Sequence, residues 1–105
     1  MIALGCFSEM KCFADNGSIN AYIVDKVNYD KKKVIGYLSS NKRIAGCPRE
    51  AIDCITGKKI SDSFSVFTDG EYEWCDFLEY YIERYSIKLP NEFIRKINAE
   101  YPANK

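Results

Sequence analysis

The dipeptide Asp69-Gly70 constrains the fold of this chain more than any other pair of neighbours. A two-residue type I′ turn needs positive φ at both central positions, and Asp-Gly accepts that conformation at low steric cost between two strands. The flanking runs, Ser63 to Phe67 and Glu71 to Trp74, alternate as strands do. A two-residue turn pairs Phe67 with Tyr72 and Ser65 with Trp74. That register gathers Phe67, Tyr72 and Trp74 on one face and leaves Glu71, Glu73 and Val66 on the other. The aromatic face is expected to be core.

Short runs of the same texture lie upstream, at Arg43 to Cys47 and Ala51 to Ile55, punctuated by Pro48 and Thr56-Gly57. The opening residues form a short strand or an irregular lead-in that ends at the turn cluster Asp15-Asn16-Gly17. Elsewhere the apolar period is helical. Ser18 reads as an N-cap, with Ile19, Tyr22, Ile23 and Val27 on one face of a helix running to about Asn28. Asp30 caps a second helix whose stripe is Val34, Ile35 and Leu38, although Lys31, Lys32 and Lys33 put basic charge against the wrong end of the helix dipole. Phe77, Leu78, Tyr81, Ile82 and Tyr85 define a third helix, capped by Asp76 or by the preceding turn. Pro90 opens a fourth, with Phe93, Ile94, Ile97 and Tyr101 as its face and Pro102 at its end.

The 105 residues, 47% of them hydrophobic, suffice for one modest core. The expectation is therefore a single α+β domain over residues 1–105. Its sheet should be small and mainly antiparallel, with three or four strands flanked by two N-terminal and two C-terminal helices.

Histidine is absent, which removes the commonest general base and every mixed Cys/His metal site. No nucleophile elbow, phosphate loop, dinucleotide fingerprint or EF-hand loop occurs either. The five cysteines, Cys6, Cys12, Cys47, Cys54 and Cys75, are odd in number and widely spaced, and no two form a CxxC pair. They read as reduced, partly buried thiols rather than as a disulfide framework or a zinc site. The chain is expected to catalyse nothing and to bind neither cofactor nor metal. Met1 to Phe7 is apolar but too short to span a bilayer and lacks the marks of a signal peptide, so a cytoplasmic protein with no membrane partner is expected.

Charge is balanced overall, with fifteen bases and fifteen acids, but not along the chain. Most bases lie before residue 60, among them Lys31, Lys32, Lys33, Lys42, Arg43, Lys58 and Lys59. After them Asp69, Glu71, Glu73, Asp76, Glu79 and Glu83 follow with no base until Arg84. Glu71 and Glu73 point the same way along a strand, and Asp76, Glu79 and Glu83 share a helix face away from the aromatic stripe. If hairpin and helix are neighbours, Glu71, Glu73, Asp76, Glu79 and Glu83 form one negative surface able to steer a basic partner. The plainer alternative is a solvated hairpin edge and helix face. The basic half could contact phosphate as a small nucleic-acid-binding or regulatory module, but its aromatics fall at core periodicity rather than on an exposed platform.

Three segments, Phe67-Thr68-Asp69-Gly70-Glu71-Tyr72-Glu73-Trp74, Leu78-Glu79-Tyr80-Tyr81-Ile82-Glu83-Arg84-Tyr85 and Leu89-Pro90-Asn91-Glu92-Phe93-Ile94, together carry a pattern. It resembles the C-terminal part of small bacterial immunity proteins, of the kind found in contact-dependent growth inhibition. The resemblance lies mainly over residues 67–94, and its motif residues are scaffold: a turn, core aromatics and a helix start. It implies a stoichiometric inhibitor of a cognate toxin domain, often a nuclease, and it transfers no binding site to particular residues.

Overall fold

The computed structural model describes residues 1–10 and 14–100. Cys12, Tyr101 and Pro102, assigned above to a thiol, a helix face and a helix end, lie outside the described residues. Among the described residues there are two sheets and three α-helices, so the α+β class holds.

The main sheet has four strands in the order β1 (Ile2–Leu4), β6 (Tyr72–Cys75), β5 (Phe64–Thr68), β2 (Lys42–Cys47). A smaller sheet pairs β3 (Ala51–Ile52) with β4 (Lys59–Ser61). The helices are α1 (Lys31–Ser40), α2 (Leu78–Arg84) and α3 (Asn91–Glu100). The main sheet is mixed rather than all antiparallel, because β1 runs parallel to β6 with Ile2 opposite Tyr72 and Leu4 opposite Trp74.

The hairpin forms where Asp69-Gly70 places it, but its register is shifted by two residues. Phe67 lies opposite Trp74 and Thr68 opposite Glu73, so the loop is Asp69 to Tyr72 rather than the dipeptide alone. The Asp69 carboxylate explains the longer loop: its Oδ1 accepts the backbone N–H of Glu71 at 2.9 Å and of Tyr72 at 2.8 Å. Gly70 supplies the left-handed residue, at φ 100°. A slip of two preserves the alternation of faces. Tyr72 and Trp74 therefore still point into the core, and Trp74 is fully buried.

The helix expected over residues 18–28 is not one. Ser18 does cap, accepting the Asn20 N–H at 3.2 Å, but only a single 3₁₀ turn follows, Ile19–Ala21. The chain then extends and bridges the segment after α2, with Val24 N–H to Ser86 O at 2.9 Å and Lys88 N–H to Tyr22 O at 2.8 Å. Of the four stripe residues only Ile19 is buried, and Ile23 is exposed. Backbone pairing with a distant segment has overridden a marginal helical period.

The other helices form near their signals. Asp30 Oδ1 accepts the N–H groups of Lys32 and Lys33 at 3.0 and 3.3 Å, placing a negative group at the α1 start. The first-turn lysines have uses elsewhere, since Lys31 Nζ reaches Tyr85 O at 3.3 Å and Lys33 Nζ reaches Asn98 at 2.8 Å. At α3, the Pro90 carbonyl accepts the Ile94 N–H at 3.1 Å. Before α2 the preceding turn, rather than a side chain, supplies the cap: the Asp76 carbonyl accepts the Glu79 N–H at 3.2 Å. In the smaller sheet, β3 is only two residues long, because from Cys54 the chain turns back to β4, a strand whose Lys-Ile-Ser sequence gives no alternation to read.

Two apolar clusters result. One gathers Trp74 and Tyr72 with Val34, Tyr37 and Leu38 of α1 and Phe93, Ile94 and Ile97 of α3. The other gathers Phe64, Cys75, Phe77 and Tyr81 with Phe7, Ile19 and Ala51. Helix α2 serves both, with Leu78 and Ile82 in the first and Tyr81 in the second. Gly5, at φ 69°, lets the chain leave β1 against this helix: a Cβ there would come within 2.6 Å of Leu78 Cδ1.

Candidate functional site

The acidic residues singled out by charge fall at the two ends of β6. Glu71 precedes the strand and Asp76 follows it, so roughly 16 Å of extended chain separates them. Glu71 turns towards α3, where Lys96 Nζ lies 3.1 Å from Glu71 Oε1 and 3.1 Å from Asp69 Oδ2. Tyr37 of α1 donates to the same Asp69 oxygen at 2.7 Å. This end of the hairpin is therefore a locked junction in which Lys96 offsets the acids. Glu73 sits in mid-strand, half-buried, in register with Ala3 on one side and Thr68 on the other.

At the other end of β6 three carboxylates do come together. Asp76 is fixed against β5: its Oδ2 accepts the Ser65 N–H at 3.1 Å, while its own N–H donates to Ser65 O at 2.9 Å. Glu79 and Glu83 follow one and two turns later on α2, on the side away from Leu78, Tyr81 and Ile82. Burial raises the pKa of Asp76, and the hydrogen bonds from Ser65 and Phe77 and the charge of Arg43 only partly offset this. Burial also raises the pKa of Glu79, with Asp76 and Glu83 adding like-charge repulsion. Among the described residues no lysine or arginine pairs with Glu79 or Glu83. Of the five predicted site residues, Asp76, Glu79 and Glu83 thus form a trio in which only Asp76 feels a nearby cation, Arg43, with Glu73 along the strand and Glu71 set apart.

The basic half does not converge. Lys31 and Lys33 tie α1 to α2 and α3, Arg43 Nε donates to Ser65 Oγ at 2.8 Å, and Lys59 pairs with Asp62 and Glu50.

One carboxylate escaped the charge argument. Asp53 is fully buried, yet among the described residues no lysine or arginine pairs with it. Its Oδ2 accepts the hydroxyls of Tyr80 and Tyr85 at 2.7 and 2.8 Å, and its Oδ1 accepts the N–H groups of Ile55 and Thr56 at 2.8 and 3.2 Å. Burial pushes its pKa up, but these four donors outweigh burial and leave it below the usual carboxylate range. Tyr81 adds to the clamp by accepting the Cys54 N–H at 2.9 Å and donating to Ile52 O at 3.1 Å. Both oxygens being filled, Asp53 is an anchor for the 53–57 turn and not a free base. The Tyr80-Tyr81 pair is visible in the sequence, but nothing there indicates which acid its hydroxyls would meet.

Among the described residues no group of three or more potential ligands is arranged to hold a metal ion. Cys47 and Cys54 are half-buried thiols, and burial pushes the Cys54 thiol to a higher pKa, away from the reactive thiolate. No family model matches this chain, and neither a curated protein nor a solved structure does.

Proposed function

We propose that this protein is an immunity protein that binds a basic bacterial toxin domain, such as a nuclease, and neutralises it stoichiometrically without catalysis. The observation that carries the reading is the trio Asp76, Glu79 and Glu83. Glu79 is held between Asp76 and Glu83, whose charges add to the burial that raises its pKa, and among the described residues no lysine or arginine pairs with Glu79 or Glu83. A nuclease presents cations where it grips phosphate, and carboxylates aimed at those cations both occlude them and speed the encounter. The resemblance over residues 67–94 points to the same class of partner.

The test is co-production with the product of the neighbouring reading frame, which the proposal expects to be a toxin. Glu79→Lys/Glu83→Lys should fold normally, because both side chains lie on the outer face of α2. The double variant should associate about tenfold more slowly at low salt and lose protection in cells. If it protects as well as the parent chain and binds with unchanged kinetics, the trio is only a solubilising surface. Binding should also weaken as pH falls, beginning above the usual glutamate range near pH 4.3, because Glu79 takes up its proton early.

A further inference from the structure

A cleft of about 260 Å³ opens where the smaller sheet meets β5 and the start of α2. Its floor is the edge-to-face pair Phe64 and Phe77, with ring centroids 5.2 Å apart, and Ile52 and Cys54 are among its walls. Among the described residues the charged side chains that line it are the exposed Glu9, Arg49 and Glu50, which form its rim. The Arg49 guanidinium lies 5.9 Å above the Phe64 ring, and no carboxylate pairs with it among the described residues.

We propose that this cleft is a receptor for a single arginine or lysine side chain projecting from the partner. Its aliphatic stem would lie against Ile52 and its cationic head over the aromatic floor. For the nature of that partner the inference rests on the function proposed above.

Two observations support it. The chain's own Arg49 shows that a guanidinium fits over Phe64, and because Arg49 is exposed it can swing aside for an incoming cation. Negative charge lies close by: Glu9 stands on the rim, held by Ser18 and Ile19, and the Asp53 carboxylate lies behind the wall, whereas Glu50 is paired with Lys59. The thiol of Cys54, in that wall, feels the negative charge of Glu9 and Asp53 after its burial. An apolar hole beside a charged rim is the arrangement in which one long cationic residue acts as an interface anchor.

The probe is N-acetyl-arginine N-methylamide, titrated into the whole chain and followed by NMR at the Phe64 and Phe77 rings and the Ile52 methyls. The citrulline counterpart, of the same shape but without charge, serves as control. Weak, saturable shifts at these three residues are expected with arginine and not with citrulline. Arg49→Gln, which removes the competing guanidinium, should tighten arginine binding several-fold. Ile52→Arg, which places a cation at the mouth, should abolish it; both positions are exposed, so the variants should fold. An equal response to citrulline overturns the proposal, as does the absence of saturable shifts in both the parent chain and Arg49→Gln. The outcomes separate cleanly from the toxin assay. An intact arginine response with no toxin protection removes the function and leaves the cleft, and protection without an arginine response does the reverse.

Discussion

Burial raises the pKa of Glu79, and the charges of Asp76 and Glu83 raise it further. An acid with a raised folded pKa holds its proton more tightly when folded, so its ionised form costs stability at neutral pH. That cost fades as pH falls through the folded value. Glu79→Gln should therefore raise Tm near pH 7, with a gain that shrinks towards pH 4. Thermal melts across that range decide it, and a lower Tm at neutral pH would show that Glu79 supports the fold. Asp69 behaves with the opposite sign. Its carboxylate is 2% exposed, and burial alone would raise its pKa, but the N–H groups of Tyr72 and Glu71, the Tyr37 hydroxyl and Lys96 together hold it below the ordinary value. Its contribution is present above the unfolded pKa, near 3.9, and is lost as pH falls through the folded one. Asp69→Asn should cost about 1–3 kcal/mol near pH 7, because an amide cannot satisfy both the lysine and the phenol, and should flatten the acid limb of stability against pH. A denaturant titration at several pH values that finds no loss near neutrality would show the junction to be redundant.

The hairpin of β5 and β6 owes its hold on the molecule to Trp74, whose ring lies 6.3 Å from Tyr37 of α1 and 5.9 Å from Phe93 of α3. Trp74→Ala should cost about 3–5 kcal/mol, read as a fall in the denaturation midpoint with the slope unchanged. What could be read from the sequence was whatever local chemistry decides. Asp30 and Pro90 announce their helices because a cap acts within one turn. The alternating aromatics announce the core face because a register error of two leaves that face intact. The segment from Ser18 to Asn28 misled because its outcome depends on pairing with Ser86 to Lys88, more than sixty residues away in the chain. The acidic surface was half legible for the same reason. Spacing along α2 aligns Glu79 with Glu83, whereas Lys96, which claims Glu71, belongs to another helix.

For the whole molecule, the main sheet divides the interior into two apolar clusters and α2 is packed into both. The helix bearing Glu79 and Glu83 is thus firmly seated, with Leu78, Tyr81 and Ile82 fully buried. A partner meeting Glu79 and Glu83 would find a rigid face, and little ordering entropy would be lost on contact. Among the described residues no helix is long and apolar enough to cross a membrane. The parallel pairing of β1 with β6 bears on how the chain is made. Ile2 to Leu4 emerge from the ribosome about 70 residues ahead of the strand they join. At roughly 5–20 residues per second, that leaves the segment without its neighbour for several seconds. Through this interval the short apolar strand is open to other contacts, and the main sheet gains its β1 edge only after Tyr72 to Trp74 have cleared the exit tunnel.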